Sequence, residues 1–303
     1  AAKSAPTTGA RRKPMPIGFG RDVPVAQRTV RLSALQWQGT SEGGRAAQIV
    51  VTSPGAAALR VALQMQATDP DVVIRLKGDG AQAKVMGPYP ANEIAETTKK
   101  VGEWWSPVLE GSSATIEIAV SASVDVANAT LTVSRVSHLM LAGAELAPAT
   151  VAKATGIGGS GSCEINWVCQ STPAIAQAAN AVAKMVFTAE SGDSFLCTGT
   201  LLNNAAGTQA PYFFTANHCI DSAYAAQTLN VYWFYDAATC SSPTTPAAYV
   251  LQTGGSALLG RSDAEDWALL RLTQPPPGGT TFSAWPAAAI PSGPVRSEER
   301  RVG

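Results

Sequence analysis

The first 162 of 303 residues contain no cysteine, and the whole chain has two histidines, His138 and His218. So few imidazoles argue against a zinc site, as does the six-residue spacing of Cys163 and Cys169 where metal pairs stand two to four apart. An excess of either charge is also missing. With 22 basic against 22 acidic residues, neither nucleic acid nor an anionic membrane surface is an expected partner. Hydrophobic residues make up 46%, yet no uninterrupted apolar run is long enough to span a bilayer, so the chain reads as soluble. It opens "AAKSAPTT", without Met and without a basic segment leading into an apolar core, so any export signal lies outside this sequence.

What is present is unevenly distributed. Residues 1–155 hold 16 Lys/Arg and 12 Asp/Glu, residues 156–295 hold three against eight, and the last eight residues carry five charges. All five cysteines, Cys163, Cys169, Cys197, Cys219 and Cys240, fall in the second regime. That clustering predicts a disulfide framework confined to one secreted domain, with an odd cysteine left over.

Residues 1–28, rich in Pro, basic and small side chains, read as a leader or linker. Between 29 and 150, "AAQIVVTS", "LRVALQMQ", "DVVIRLKG", "ATIEIAVSAS" and "NATLTVSRV" alternate apolar and polar residues between turn-rich pieces. This pattern predicts an antiparallel β-sandwich. His138 has no acidic or cysteine neighbour and reads as structural, and the tandem Trp104 and Trp105 of "EWWSP" read as core aromatics rather than a ligand platform. "GIGGSGS" then forms a flexible linker, with Lys153 before it as a candidate processing site. Beyond it come "TPAIAQAANAVAKMV", read as helix or loop, and the strand-like runs "SFLCTGTLL", "APYFFTA", "TLNVYWFY" and "AEDWALLRL". Short strands with little helix predict a β-barrel, so the fold class is all-β throughout.

Two stretches carry chemistry. "PYFFTANHC" puts His218 at the end of a β-prone run, next to Cys219, which follows Cys197 by 22 residues. "EDWALLRL" puts Asp266 directly before an apolar strand, where a carboxylate can be partly buried and still accept a hydrogen bond from imidazole. Asp263 and Glu265 lie close enough to compete for that role, but neither directly precedes the apolar run. Together with "GGSGSCEINWVC", these motifs resemble the chymotrypsin-like serine proteases, and more closely the secreted bacterial trypsin-like proteases of the lysyl endopeptidase type. The resemblance covers about residues 156–295 and implies His218 as general base, Asp266 as its orienting carboxylate, and disulfides Cys197–Cys219 and Cys169–Cys240. More loosely, residues 29–150 resemble the β-rich region preceding such domains, either a removable pro-segment or an accessory domain.

The nucleophile is missing. The family's Gly-x-Ser-Gly-Gly/Ser-Pro motif occurs nowhere, and the nearest decoy, Ser292 in "IPSGPV", lacks the preceding glycine and follows Asp266 by only 26 residues. The tail "RSEERRVG", residues 296–303, breaks so sharply from what precedes it that it reads as a translated sequencing adapter. On that reading residues 156–295 are the first part of a protease domain that lacks most of its second barrel, and Cys163 lacks its partner. The expected function is therefore that of a secreted serine endopeptidase, inactive as written, with protein or peptide substrates, no metal and no cofactor. Its N-terminal domain would act on its own protease domain. The alternative is a non-enzymatic secreted β-sandwich binding protein with a degenerate protease-like domain.

Overall fold

The computed structural model describes residues 13–66, 69–81, 83–141, 166–240 and 249–284. Lys153, Cys163, Ser292 and the 296–303 tail lie outside them. The described chain is mostly strand, with few and short helices.

The first half contains, in order, β1 (Met15–Asp22), α1 (Val25–Arg28), β2 (Thr29–Arg31), β3 (Gln38–Gly39), β4 (Arg45–Thr52), β5 (Ala58–Met65), β6 (Val72–Gly78), β7 (Met86–Pro90), α2 (Ala91–Val101), β8 (Trp104–Trp105), β9 (Leu109–Glu110), β10 (Ser113–Val120) and β11 (Thr130–Leu139). Strands β3-β4-β10-β6-β7 make one antiparallel sheet. In β10 the side chains of Ala114, Ile116, Ile118 and Val120 are buried and those between are not, the period-two alternation already visible in the sequence. They meet Leu59, Val61 and Leu63 of β5 and Leu131 and Val133 of β11, which belong to a second, larger sheet. Helix α2 has no counterpart in the sequence reading of this region. Its apolar Ala91, Ile94 and Ala95 fall on one helical face and are buried, and the chain leaves it through Gly102 at φ +91°.

The second half adds α3 (Pro173–Ala179), β12 (Val182–Thr188), β13 (Ser194–Leu202), β14 (Tyr212–Thr215), α4 (Ala223–Gln227), β15 (Asn230–Trp233), β16 (Val250–Gln252), β17 (Ser256–Ser262) and β18 (Trp267–Leu272). Thr172 caps α3, accepting from the Ile175 amide, and only the first half of the stretch read as helix or loop is helical; the rest is β12. These strands form a curled sheet in the order β16-β15-β12-β13-β14-β18-β17. Phe187, Leu201, Phe213, Trp233 and Leu270 fill its inner face. Gly199 is required there: a Cβ on it would sit 2.2 Å from the Phe213 ring. No helix among the described residues is long and apolar enough to cross a membrane.

The two halves are joined by the segment read as a leader. β1 pairs with β11 from Gly18 to Asp22 and with β13 through Met15, Pro16 and Gly18, making one continuous sheet across both halves. Prolines at 14 and 16 and glycines at 18 and 20 hide any alternation in the sequence, and the strand exists because two neighbours supply its ladder. Gly20 lets the chain pass: a Cβ would lie 2.4 Å from the Ser191 carbonyl oxygen.

Lys184 of β12 is buried near that junction, 4% exposed, with its ammonium 4.0 Å from the Tyr235 ring centroid. Burial pushes its pKa down to about 7. Between that value and the ordinary lysine range the unfolded chain holds a proton that the folded chain does not, so stability rises with pH across this window, by at most about 1.4 kcal/mol per unit. The Lys184→Met variant is expected to lose this rise, as read from thermal unfolding between pH 7 and 10. An unchanged slope would contradict it.

Candidate active site

β14 ends at Thr215, which is buried and whose Oγ1 donates to the Thr198 carbonyl of β13 at 2.8 Å. The chain then turns tightly, with the amides of Cys219 and Ile220 both donating to the Ala216 carbonyl. Ile220 enters the core and Cys219 bonds to Cys197, with a Cα–Cα distance of 6.3 Å. His218 sits between these anchors, its side chain 25% exposed. The second pairing that the resemblance implied, Cys169–Cys240, is also bonded.

Asp266 ends the four-residue turn between β17 and β18 and holds a left-handed backbone at φ +53°. Aspartate tolerates that conformation better than most residues. Its Oδ2 lies 2.7 Å from His218 Nδ1, and its Oδ1 accepts from the His218 backbone N–H at 2.8 Å. Partial burial would raise the Asp266 pKa, but the hydrogen bonds from the His218 amide and imidazole outweigh it and hold the carboxyl below its usual range. An ionised carboxylate can only accept, so Nδ1 must carry the ring proton, and the Nε2 lone pair is left free to take another.

The competing acids are placed elsewhere. Glu265 Oε2 accepts from Ser262 Oγ within its own turn, and Asp263 accepts from the Asn217 side-chain amide at 3.3 Å. Asn217 was missed by sequence reasoning. It is 4% exposed, and its Oδ1 also accepts from Arg261 at 3.1 Å, so it ties the histidine turn to the β17–β18 hairpin beside the carboxylate. A polar side chain inside "TANHC" was the available signal.

Cys197, His218 and Cys219 place their ligand atoms within 4.8 Å of one another, the one metal-like grouping among the described residues. Both sulfurs are consumed in the disulfide, which leaves a single imidazole and no thiolate for an ion. The arrangement is suited to moving a proton at Nε2.

In the first half, His138 is buried, with Nδ1 2.8 Å from Ser53 Oγ and its ring stacked on Phe19 at 4.8 Å. Trp105 is buried and its indole N–H donates to Tyr224 Oη of α4 at 2.6 Å, while Trp104 packs against Tyr89.

Comparison with known proteins agrees with this layout. Residues 1–140 match the model of the lysyl endopeptidase N-terminal domain, and residues 157–297 match that of the lysyl endopeptidase C-terminal domain. The lysyl endopeptidase of Pseudomonas aeruginosa is 33% identical over 310 aligned positions, which cover 96% of this chain and 62% of that protein. The chain therefore spans less than two thirds of that relative's length. No solved structure matches it. With both halves matched by models of one protease family, and with a relative aligned along almost all of its length, the chain belongs to the lysyl endopeptidase family.

Proposed function

We propose that the chain carries the general base and the orienting carboxylate of a secreted serine endopeptidase that cuts protein or peptide substrates at lysine, as the family's name has it. The observation that carries this reading is the two-point hold of Asp266 on His218, through the ring at 2.7 Å and the backbone amide at 2.8 Å.

In that reaction His218 Nε2 takes the proton from a serine hydroxyl as the oxygen attacks the peptide carbonyl. It then gives the proton to the departing amine nitrogen, and the acyl-enzyme is hydrolysed by water along the same route. Asp266 keeps the imidazole in the competent tautomer and stabilises the imidazolium that forms in between. A hydroxyl presented by the family's Gly-x-Ser-Gly-Gly/Ser-Pro turn has no counterpart in these 303 residues. The chain is accordingly expected to hydrolyse no peptide bond by itself. The N-terminal half, bonded to the catalytic half through β1, acts on its own protease domain.

The test is a fluorogenic lysyl-peptide assay of the purified 303-residue chain. Background turnover, equal to that of the His218→Ala variant, is the expected result. Turnover well above background that disappears in His218→Ala would overturn the inactivity of this chain.

A further inference from the structure

β13 has two edges. β12 pairs along one of them from Ser194 to Thr200, so β1 and β14, which also pair with β13, share the other. They approach from opposite ends, β1 at 194–196 and β14 at 200–202. Continued one and two residues in its own register, β1 brings Pro14 opposite Cys197 and Lys13 opposite Thr198. From the other end, the last ladder pair of β14 is Phe214 with Thr200; Thr215 Oγ1 then reaches the Thr198 carbonyl and the chain turns away to bond Cys219 to Cys197. The N-terminal end of β1 and the histidine turn thus converge on the same pair of β13 residues, and the Cys197 sulfur lies within 4.8 Å of a His218 ring nitrogen.

We propose that residues 13–16, "KPMP", lie along this edge as a substrate-like strand, with the bond between Lys13 and Pro14 set beside the His218 imidazole. The inference rests on the endopeptidase reading above and adds the occupant of its site. An extended peptide laid antiparallel on a free strand edge is a general mode of peptide recognition, in which the ladder supplies affinity and one side chain supplies selectivity. Here the ladder is Met15 with Leu196 and Pro16 with Phe195, and the side chain next in line is a lysine, exposed in this structure. The two prolines bias Lys13 and Met15 toward extended backbone before they dock, which lowers the ordering cost of binding.

The same prolines make the segment a poor substrate. Cleavage after Lys13 would require His218 to protonate the Pro14 nitrogen as it leaves. That nitrogen bears the ring Cδ in place of hydrogen, and the ring stands where the imidazole must approach. A strand of this kind can occupy the site without being consumed, so the N-terminal half would block its own protease through β1.

The test uses the full chain and requires no hydrolysis, so it can fail independently of the endopeptidase reading. Lys13→p-benzoylphenylalanine is irradiated and its adducts are mapped by mass spectrometry, with the same photolabel at Phe19, which stacks on His138, as a control for the seating of β1. The expected adducts from position 13 fall within 197–199 or 216–220, while those from position 19 fall on β11. Adducts from position 13 elsewhere, or none while position 19 labels β11, overturn the proposal. Failure of both positions overturns it as well, because β1 is then seated on neither β11 nor β13.

Discussion

Replacing Arg60 with alanine is expected to destabilise the chain by about 3–5 kcal/mol and to weaken the attachment of one half to the other. The guanidinium is 1% exposed and donates to the Ser106 carbonyl of its own half at 2.8 Å and, across the junction, to the Thr188 hydroxyl at 2.8 Å and the Thr228 carbonyl at 2.7 Å. Burial pushes its pKa down to about 10, so it is still charged at neutral pH. Truncation relieves that desolvation, but it leaves the buried Ser106 carbonyl without a donor, leaves the Thr228 carbonyl only its 3.3 Å bond from the Asn230 side-chain amide, and opens a cavity the length of the side chain. The orphaned Ser106 acceptor costs about 1–3 kcal/mol and the cavity about 2–5 kcal/mol, so the loss exceeds the relief. Thermal unfolding of Arg60→Ala checks this, and a change below about 1 kcal/mol would contradict it. Close to Arg60, a row of buried hydroxyls, Ser137 to Ser194 to Thr188, crosses the junction. Glu103 and Arg135 meet Tyr224 of α4 on the same surface. A junction with so much paired polar surface resembles interfaces between separable partners more than a single domain core.

The second large effect is expected from opening the Cys197–Cys219 bridge, which closes a 22-residue loop. The loop-entropy estimate gives about 3 kcal/mol, a fall in Tm on the order of 5–10 °C for a chain of this size. The local effect matters more to function. One end of the bridge is on β13 and the other adjoins His218, so the Cys197→Ser, Cys219→Ser double variant is expected to lose amide protection at 216–220 before the rest of the sheet. Hydrogen exchange followed by mass spectrometry reads this directly. Unchanged protection in that segment would mean that Asn217 and Ile220 hold the turn without the disulfide.

The strands that face solvent on one side were legible in the sequence, because burial on a single face leaves a period of two; β4, β6, β10 and β18 are of this kind. β5 misleads for a physical reason. Its polar position at Arg60 alternates as though outward, but the protease half covers that face, and nearly every β5 residue is buried. Partners 128 and 168 residues away do not register in a local pattern. β1 was illegible on the same ground, since its ladder comes from β11 and β13 and its own sequence is proline and glycine. At the site, Asp266 could be singled out among three neighbouring acids by its place directly before an apolar strand. The Asn217 contacts could not, because they depend on a hairpin 44 to 46 residues further on.

The catalytic pairing of His218 with Asp266 turns on which imidazole nitrogen carries the proton, and nitrogen-15 NMR of the side chain measures it. With two histidines in the chain, a His138→Gln variant assigns the signals. The expected result is a neutral ring protonated at Nδ1 and bare at Nε2, with this preference lost in Asp266→Asn. A ring protonated at Nε2, or one indifferent to Asp266→Asn, would mean that the carboxylate does not hold the base in its competent form, and the catalytic reading of this pair would be wrong.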